Sequence, residues 1–279
     1  MKKIKFVMDS TVDMPAQLIE EFEIEVVPLH ILLGEDDRLD DGSLTNEDLV
    51  KFADETGILP KSAAVNEYQF TECFTKWIDL GCDIFCLTLT SDLSATYHTA
   101  ISAAKNFDSQ RICVVDSRNV STGSAILMLE ACDMAMTGAT IQQMSDHVLS
   151  LTSTVRLRFV VDTLKYLYMG GRLSKFASLM GTSLKIKPIL EVRDGKIVPG
   201  DKLRGSNYID KYFDYVMQNT ETIDPKRIFV THCMLPQAEE IKTRLEEEFG
   251  FKNVYITNTS ATISTHCGPG TFGILFLRK

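Results

Sequence analysis

Short β-rich runs alternate with helix-length stretches through the first half of the chain, and that rhythm leaves few architectures open. Ile4 to Met8 is followed by Met14 to Phe22, Asp83 to Leu89 by Ser94 to Phe107, and Arg111 to Val115 by Val120 to Thr137. Strand-then-helix units of this kind predict a parallel sheet covered by helices. Between the first two units, Glu25 to Leu33 reads as one further strand. Thr45-Asn46-Glu47-Asp48 has the capping-box spacing that starts a helix, here running to about Glu55. Gly57 to Asn66 reads as a loop leading into a helix around Trp77.

The pattern changes near residue 155. Strand signals then follow at Val155 to Val161, Phe229 to Cys233, Val254 to Thr257 and Gly273 to Leu277. A hairpin runs from Ile186 through Asp194-Gly195 to Val198, since Asp-Gly between apolar runs favours a tight β-turn. Helices are predicted over Ser206 to Gln218 and Pro236 to Phe249, with Glu246-Glu247-Glu248 as a solvated face. The reading is therefore an α/β protein of two domains. Residues 1–155 form an α/β/α unit on a parallel sheet, and residues 156–279 form an α/β unit on a mixed or antiparallel sheet.

Charge and composition narrow the function. The 29 Lys+Arg against 38 Asp+Glu give a formal charge of -9 and there is no basic run, which argues against nucleic acid and anionic membranes as partners. The apolar run after Met1 is interrupted at Lys5 and ends at Asp9, too short for a signal peptide, and no segment is long and apolar enough to span a bilayer. Seven scattered cysteines, several inside strand-like runs, fit reduced core thiols and a cytoplasmic location. No Gly-x-Gly-x-x-Gly follows a strand and no Gly-x4-Gly-Lys-Ser/Thr occurs, so nucleotide cofactors have no support. Cys82 and Cys86 lack a second pair at finger spacing and the five histidines lie far apart, so no metal site is expected.

What remains is a set of small hydroxyl residues just past strand ends: Asp9-Ser10-Thr11, Thr88 through Thr96, and Asp116-Ser117. Ligands of open α/β sheets sit outside the carboxyl ends of the strands, where helix N-termini present unpaired N–H groups. Ser94 stands where a helix N-cap belongs, so it reads either as an ordinary cap or as an anion donor. Ser62, in Pro60-Lys61-Ser62-Ala63-Ala64, adds a hydroxyl in an apparent loop. His266 precedes Gly268-Pro269-Gly270 and is either a structural imidazole or a donor to a buried carboxylate. Gly170-Gly171 should stop a helix and expose Arg172, a guanidinium suited to carboxylate or phosphate. Asp9 and Asp116 read first as strand-end carboxylates that hold nearby amides.

These segments, in this order, resemble the blocks of the DegV family: Asp9-Ser10-Thr11-Val12-Asp13, Leu59-Pro60-Lys61-Ser62, Leu93-Ser94-Ala95-Thr96-Tyr97, Val115-Asp116-Ser117, Phe159 to Leu164, Gly170-Gly171-Arg172, Lys187 to Leu190 and His266-x-Gly268-Pro269-Gly270. The resemblance implies a two-domain α/β protein that encloses a long-chain fatty acid between its domains, without catalytic residues or cofactor of its own. It further implies delivery of that acid to a separate ATP-dependent fatty acid kinase, which makes the acyl phosphate. The positions implied to hold the carboxylate are Ser62, Ser94 and His266, with Ala95 and Gly268 beside them. Arg172 is implied as a residue that docks the kinase, with Arg204 as a second. The chain departs from the family pattern where Ser62 replaces threonine, Ala63-Ala64 replace a polar pair, and Ala95 replaces glycine, whose extra methyl is expected to shift the head group or narrow the crevice.

A fatty acid needs an apolar tunnel and one polar end. Burial of about sixteen carbons at roughly 0.8 kcal/mol per methylene supplies on the order of 10 kcal/mol before the costs of binding. Apolar material for such a tunnel includes Met180, Leu184, Ile186, Ile189, Phe272, Ile274 and Leu275. Two rival readings remain open. One is a serine hydrolase with Ser94 as nucleophile, His266 as base and Asp9 or Asp116 as orienting acid, although Gly-x-Ser-x-Gly is absent around Ser94. The other is a carrier or sensor of a different amphiphile.

Overall fold

A computed structural model describes residues 3–173 and 186–279, so Met180 and Leu184 lie outside the described residues. The first half is built as the alternation requires. Strands β1 (Ile4–Asp9), β2 (Glu25–Val27), β6 (Asp83–Thr88) and β7 (Ile112–Asp116) form an all-parallel sheet A in the order β2-β1-β6-β7. It is accompanied by α1 (Ala16–Glu21), α3 (Glu67–Asp79), α4 (Thr96–Ala104), α5 (Thr122–Met136) and α6 (Ile141–Leu151).

A small antiparallel sheet B, unforeseen in the sequence, joins β3 (His30–Leu33), β4 (Asp36–Leu39) and β5 (Lys61–Ala63). The run expected as one strand is therefore two. Pro28 has no N–H to offer a ladder, and the chain leaves sheet A after Val27 to enter sheet B at His30. The expected loop contains β5, whose three residues pair only with β3 and are too few to show periodicity. The helix α2 (Asn46–Thr56) begins as predicted, with Thr45 and Asp48 closing a reciprocal capping box.

Sheet C takes the rest of the chain. It contains β8 (Val155–Arg156), β9 (Arg158–Val160), β10 (Ile186–Arg193), β11 (Lys196–Arg204), β12 (Ile223–His232), β13 (Val254–Asn258) and β14 (Phe272–Arg278). The path runs β11-β10-β9-β14-β12-β13, with β8 also on β14, and every pairing is antiparallel except β12 with β13. Its helices are α7 (Lys165–Met169), α8 (Tyr208–Met217), α9 (Ala238–Glu247) and α10 (Ala261–Cys267).

No described strand pairs across residue 155, yet the apolar core does cross it. Helix α5 is buried from Thr122 to Cys132, since it is packed between sheets A and C. Leu127 and Met128 thus share one core with Phe85 on one side and with Leu157, Leu275 and Leu277 on the other. A helix apolar all round is what such a position demands. Its one charged seam is met from β12, where Arg227 binds Asp133 through two nitrogens at 2.7 and 2.8 Å and Lys226 reaches Glu130 at 2.7 Å. The two halves are consequently packed against each other through α5 and its ion pairs.

Candidate ligand-binding site

Helix α10 places the histidine. Its first turn is held by buried carboxylates from the other half: Asp40 accepts from Ala261 N at 3.0 Å and Thr262 N at 3.2 Å, and Asp13 accepts from Ser260 N at 2.6 Å. Burial raises both acids, Asp13 to about 7, while the donors pull the other way. The last turn of α10 lies against sheet B and α7. There Ser62 Oγ and His266 Nε2 stand 2.7 Å apart, although 204 residues separate them in sequence.

Two glycines permit this packing. A Cβ on Gly170 would lie 2.4 Å from His266 Nδ1, so the imidazole occupies the space a side chain would need. A Cβ on Gly268 would lie 2.4 Å from the Tyr166 ring, and its φ of +76° is costly for other residues. Gly170-Gly171-Arg172 and His266-x-Gly268 are therefore two faces of one contact. Burial, with a smaller push from the Arg172 charge, lowers His266 to about 3, so its imidazole is neutral at physiological pH. Nδ1 is buried and has no partner among the described residues.

Arg172 corrects the sequence reading. Gly170 ends α7 as expected, but the guanidinium turns inward instead of outward: Nη1 donates to Gly170 O at 2.7 Å and Nη2 reaches Leu93 O at 3.4 Å. Both partners are neutral carbonyls, and burial lowers the arginine from its ordinary value. Through Leu93 the guanidinium touches the turn carrying Ser94, and through Gly170 the wall behind His266. Ser94 itself is not the N-cap. Ala95 holds that position in a helical conformation, and Ser94 Oγ lies one residue earlier, 2.9 Å from Thr96 Oγ1 and 3.3 Å from Thr96 N.

Ser62, Ser94, Arg172 and His266 all line one cavity. Leu29, Leu89, Leu93 and Val120 line it from the first half, and Leu157, Phe159, Leu167, Ile197, Phe272 and Leu275 from the second. Most other hydroxyls in the wall are engaged: Ser121 with Asp13, Thr231 with Thr122 and Thr257, Thr259 with Ser264, and Thr271 with the Cys267 carbonyl, whereas Thr262 Oγ1 is buried with no hydrogen-bond partner among the described residues. The polar side chains left to meet a ligand are those of Ser62, Ser94, Arg172 and His266, with Thr262 in the same wall.

Several expected residues stand elsewhere. Ala95 is exposed and outside the wall, so its methyl does not narrow the cavity. Gly268 acts through Tyr166 and does not line the cavity either. Arg204 ends β11 as an exposed residue away from this wall. Of the apolar candidates Phe272 and Leu275 line it, whereas Ile189 and Ile274 belong to the core under α8 and α9 and Ile186 is partly buried outside the wall. Leu157, Phe159 and Leu93 were not expected in the wall from the sequence, where nothing separates cavity wall from core.

The hydrolase constellation does not assemble among the described residues. Asp9 accepts from Leu89 N at 2.7 Å and Thr11 N at 3.0 Å, while Asp116 accepts from Ser91 Oγ at 2.6 Å and Arg118 N at 2.8 Å. Both are strand-end clamps, as first read. The histidine meets Ser62, not Ser94, and no carboxylate orients its other nitrogen. Among the described residues no group of three or more His, Cys, Asp or Glu side chains is arranged to hold a metal, and all seven cysteines are free. No helix among the described residues is long and apolar enough to cross a membrane.

Fold and site define a class: an α/β protein with an apolar cavity held between two sheet systems and a single polar end. The DegV family model, described as an uncharacterised protein, matches residues 3–279, and the chain belongs to that family. It is 31% identical over 291 residues to a DegV domain-containing protein of Clostridium acetobutylicum, covering 100% of both chains. It is 29% identical to a Thermotoga maritima protein named fatty acid-binding protein, covering 99% of each. Among solved structures, a DegV lipid binding protein from Thermotoga maritima superimposes with a TM-score of 0.85 at 27% identity, covering 99% of this chain and 98% of that one. A Thermus thermophilus DegV family protein described as binding fatty acid superimposes at 0.90, covering 99% and 100%; at 24% identity it shows the shared fold.

Proposed function

We propose that this protein binds one long-chain fatty acid between its halves, residues 1–155 and 156–279, and holds the carboxylate at Ser62, Ser94, His266 and Arg172. One observation carries the reading: an apolar cavity ends in a partly buried guanidinium whose only described hydrogen-bond acceptors are neutral carbonyls, beside a neutral imidazole and two hydroxyls. That end suits a single negative charge, because an unpaired buried carboxylate costs several kcal/mol and a charge-assisted hydrogen bond returns about 1.5–3 kcal/mol. The rest of the wall rewards an alkyl chain. A relative named fatty acid-binding protein and a solved DegV lipid binding protein, both from Thermotoga maritima, support the assignment.

The protein acts in this proposal without turnover of its own and presents the carboxylate to a separate ATP-dependent fatty acid kinase. Arg172 then contributes mainly to the lipid site, and exposed Arg204 is the better candidate for docking. Hydrolysis at Ser62 is disfavoured by the same geometry, since a histidine lowered to about 3 is a poor general base. Solvent extraction and mass spectrometry of the purified protein should recover about one acyl chain per molecule. Absence of any acyl species, with no binding of added palmitate or oleate, rejects lipid binding. If lipid binds but kinase and ATP yield no acyl phosphate, only the presentation step fails.

A further inference from the structure

A second cleft lies behind Leu157, whose side chain walls both it and the lipid cavity. It lies between the ends of β8 to β10 and the segments following β7 and α6. Arg118, Arg156, Arg158 and Arg193 line it, with Glu191 and Asp194 as its carboxylates. Strand pairing explains the crowding. Arg158 stands opposite Glu191 and Arg156 opposite Phe276, so the two-residue period puts Arg156, Arg158, Glu191, Arg193 and Arg278 on one face.

The charges on this face do not balance. Arg118 is met by Asp92 at 3.0 Å and by the Asp194 carbonyl at 2.6 Å. Arg158 and Arg193 share Glu191, each at 2.8 Å, and the Arg158 Nε contact is off the N–H line and forms no hydrogen bond. Arg156 reaches only the Ser153 carbonyl, at 3.4 Å, and no described carboxylate lies within ion-pair distance of it or of Arg278. Four guanidiniums on this face, from Arg156, Arg158, Arg193 and Arg278, thus meet one carboxylate, Glu191, with Arg278 beyond the residues that line the cleft. Burial lowers Arg156 from its ordinary value, and repulsion from Arg278, Arg158 and Arg193 adds to the shift. Like charges held together without counter-ions are unfavourable, and a bound anion would relieve them.

We propose that this cleft binds the phosphate group of a small molecule, seated between Arg156 and Arg193 of its lining, with Arg278 on the same sheet face beside them. Guanidinium forks match phosphate oxygens through paired N–H donors, and the concave site, walled by three sheet strands and two loops, fits a small ligand better than a flat partner surface. The site is separate from the proposed fatty-acid site and does not depend on it. Calorimetric titration of the purified full chain with inorganic phosphate, pyrophosphate and ATP tests the proposal. Saturable binding that weakens with added salt is expected. Preference for inorganic phosphate points to the free ion as the source, and preference for pyrophosphate or ATP to a phosphorylated metabolite. Arg156→Gln with Arg278→Gln should weaken the preferred probe by about tenfold or more, since each charge-assisted contact is worth that factor. Fatty-acid retention should be unchanged in the same variant. Arg193→Gln, at an exposed position, repeats the test if the double variant fails to fold. No saturable binding of any probe at millimolar concentration, or undiminished binding in these variants, overturns the site.

Discussion

Replacing Gly170 by alanine isolates the contact on which the head-group cluster is built. The backbone there has φ near −71°, so alanine fits without strain and the added methyl acts on its surroundings alone. That methyl would lie 2.4 Å from His266 Nδ1 and 3.0 Å from Tyr166 O, whereas ordinary contacts run from 3.4 Å. The imidazole must retreat by roughly 1 Å, which displaces Nε2 from its 2.7 Å contact with Ser62 Oγ. A misplaced donor to a buried carboxylate costs about 1.5–3 kcal/mol, or about 10- to 150-fold in fatty-acid affinity. Equilibrium binding of a fluorescent fatty acid, with palmitate as competitor, reads the change. Gly171→Ala is the control: nothing lies within 4 Å of its Cβ, and its φ of +76° predicts a stability loss of roughly 1 kcal/mol with little change in affinity. The second comparison is Gly170→Ala in a His266→Ala background, where the penalty should vanish because its target is gone. Full affinity in Gly170→Ala, or an equal loss in both backgrounds, would refute the claim that this glycine acts through the imidazole.

Other expectations follow from the same geometry. His266 is lowered to about 3 in the folded chain against an ordinary 6.5, so the unfolded chain binds the extra proton and stability falls as pH drops from about 6.5 toward 3. At pH 5 the loss attributable to this group is about 2 kcal/mol, and urea unfolding of the parent and His266→Asn at pH 7 and pH 5 should show that difference between them. Arg172→Ala should lower fatty-acid affinity by about tenfold or more, since the guanidinium lies at the polar end of the cavity; unchanged affinity with lost phosphorylation would return it to a docking role. Thr45→Ala removes a capping box from α2 and should cost about 1 kcal/mol in denaturant unfolding without altering lipid affinity.

The sequence by itself determined the parallel sheet A, the hairpin at Asp194-Gly195 and the capped start of α2, because these rest on local periodicity, turn chemistry and caps. It also picked out Ser62, Ser94 and His266 as members of one set, through a resemblance carried by ordered blocks. Only the tertiary structure decided how these side chains meet. Strand β5 has no local signal and exists because β3 pairs with it, and the same pairing brings Ser62 to His266. Pro28 broke an apparent strand by sending its halves into different sheets. Arg172 was legible as a residue free of its helix, but its direction was not: the carbonyls of Gly170 and Leu93 that draw it inward come from the end of α7 and from the turn before α4. Cavity wall and core are written in the same apolar residues, so Leu157 and Phe159 could be told from Ile189 and Ile274 only once the two sheets were set on either side of α5.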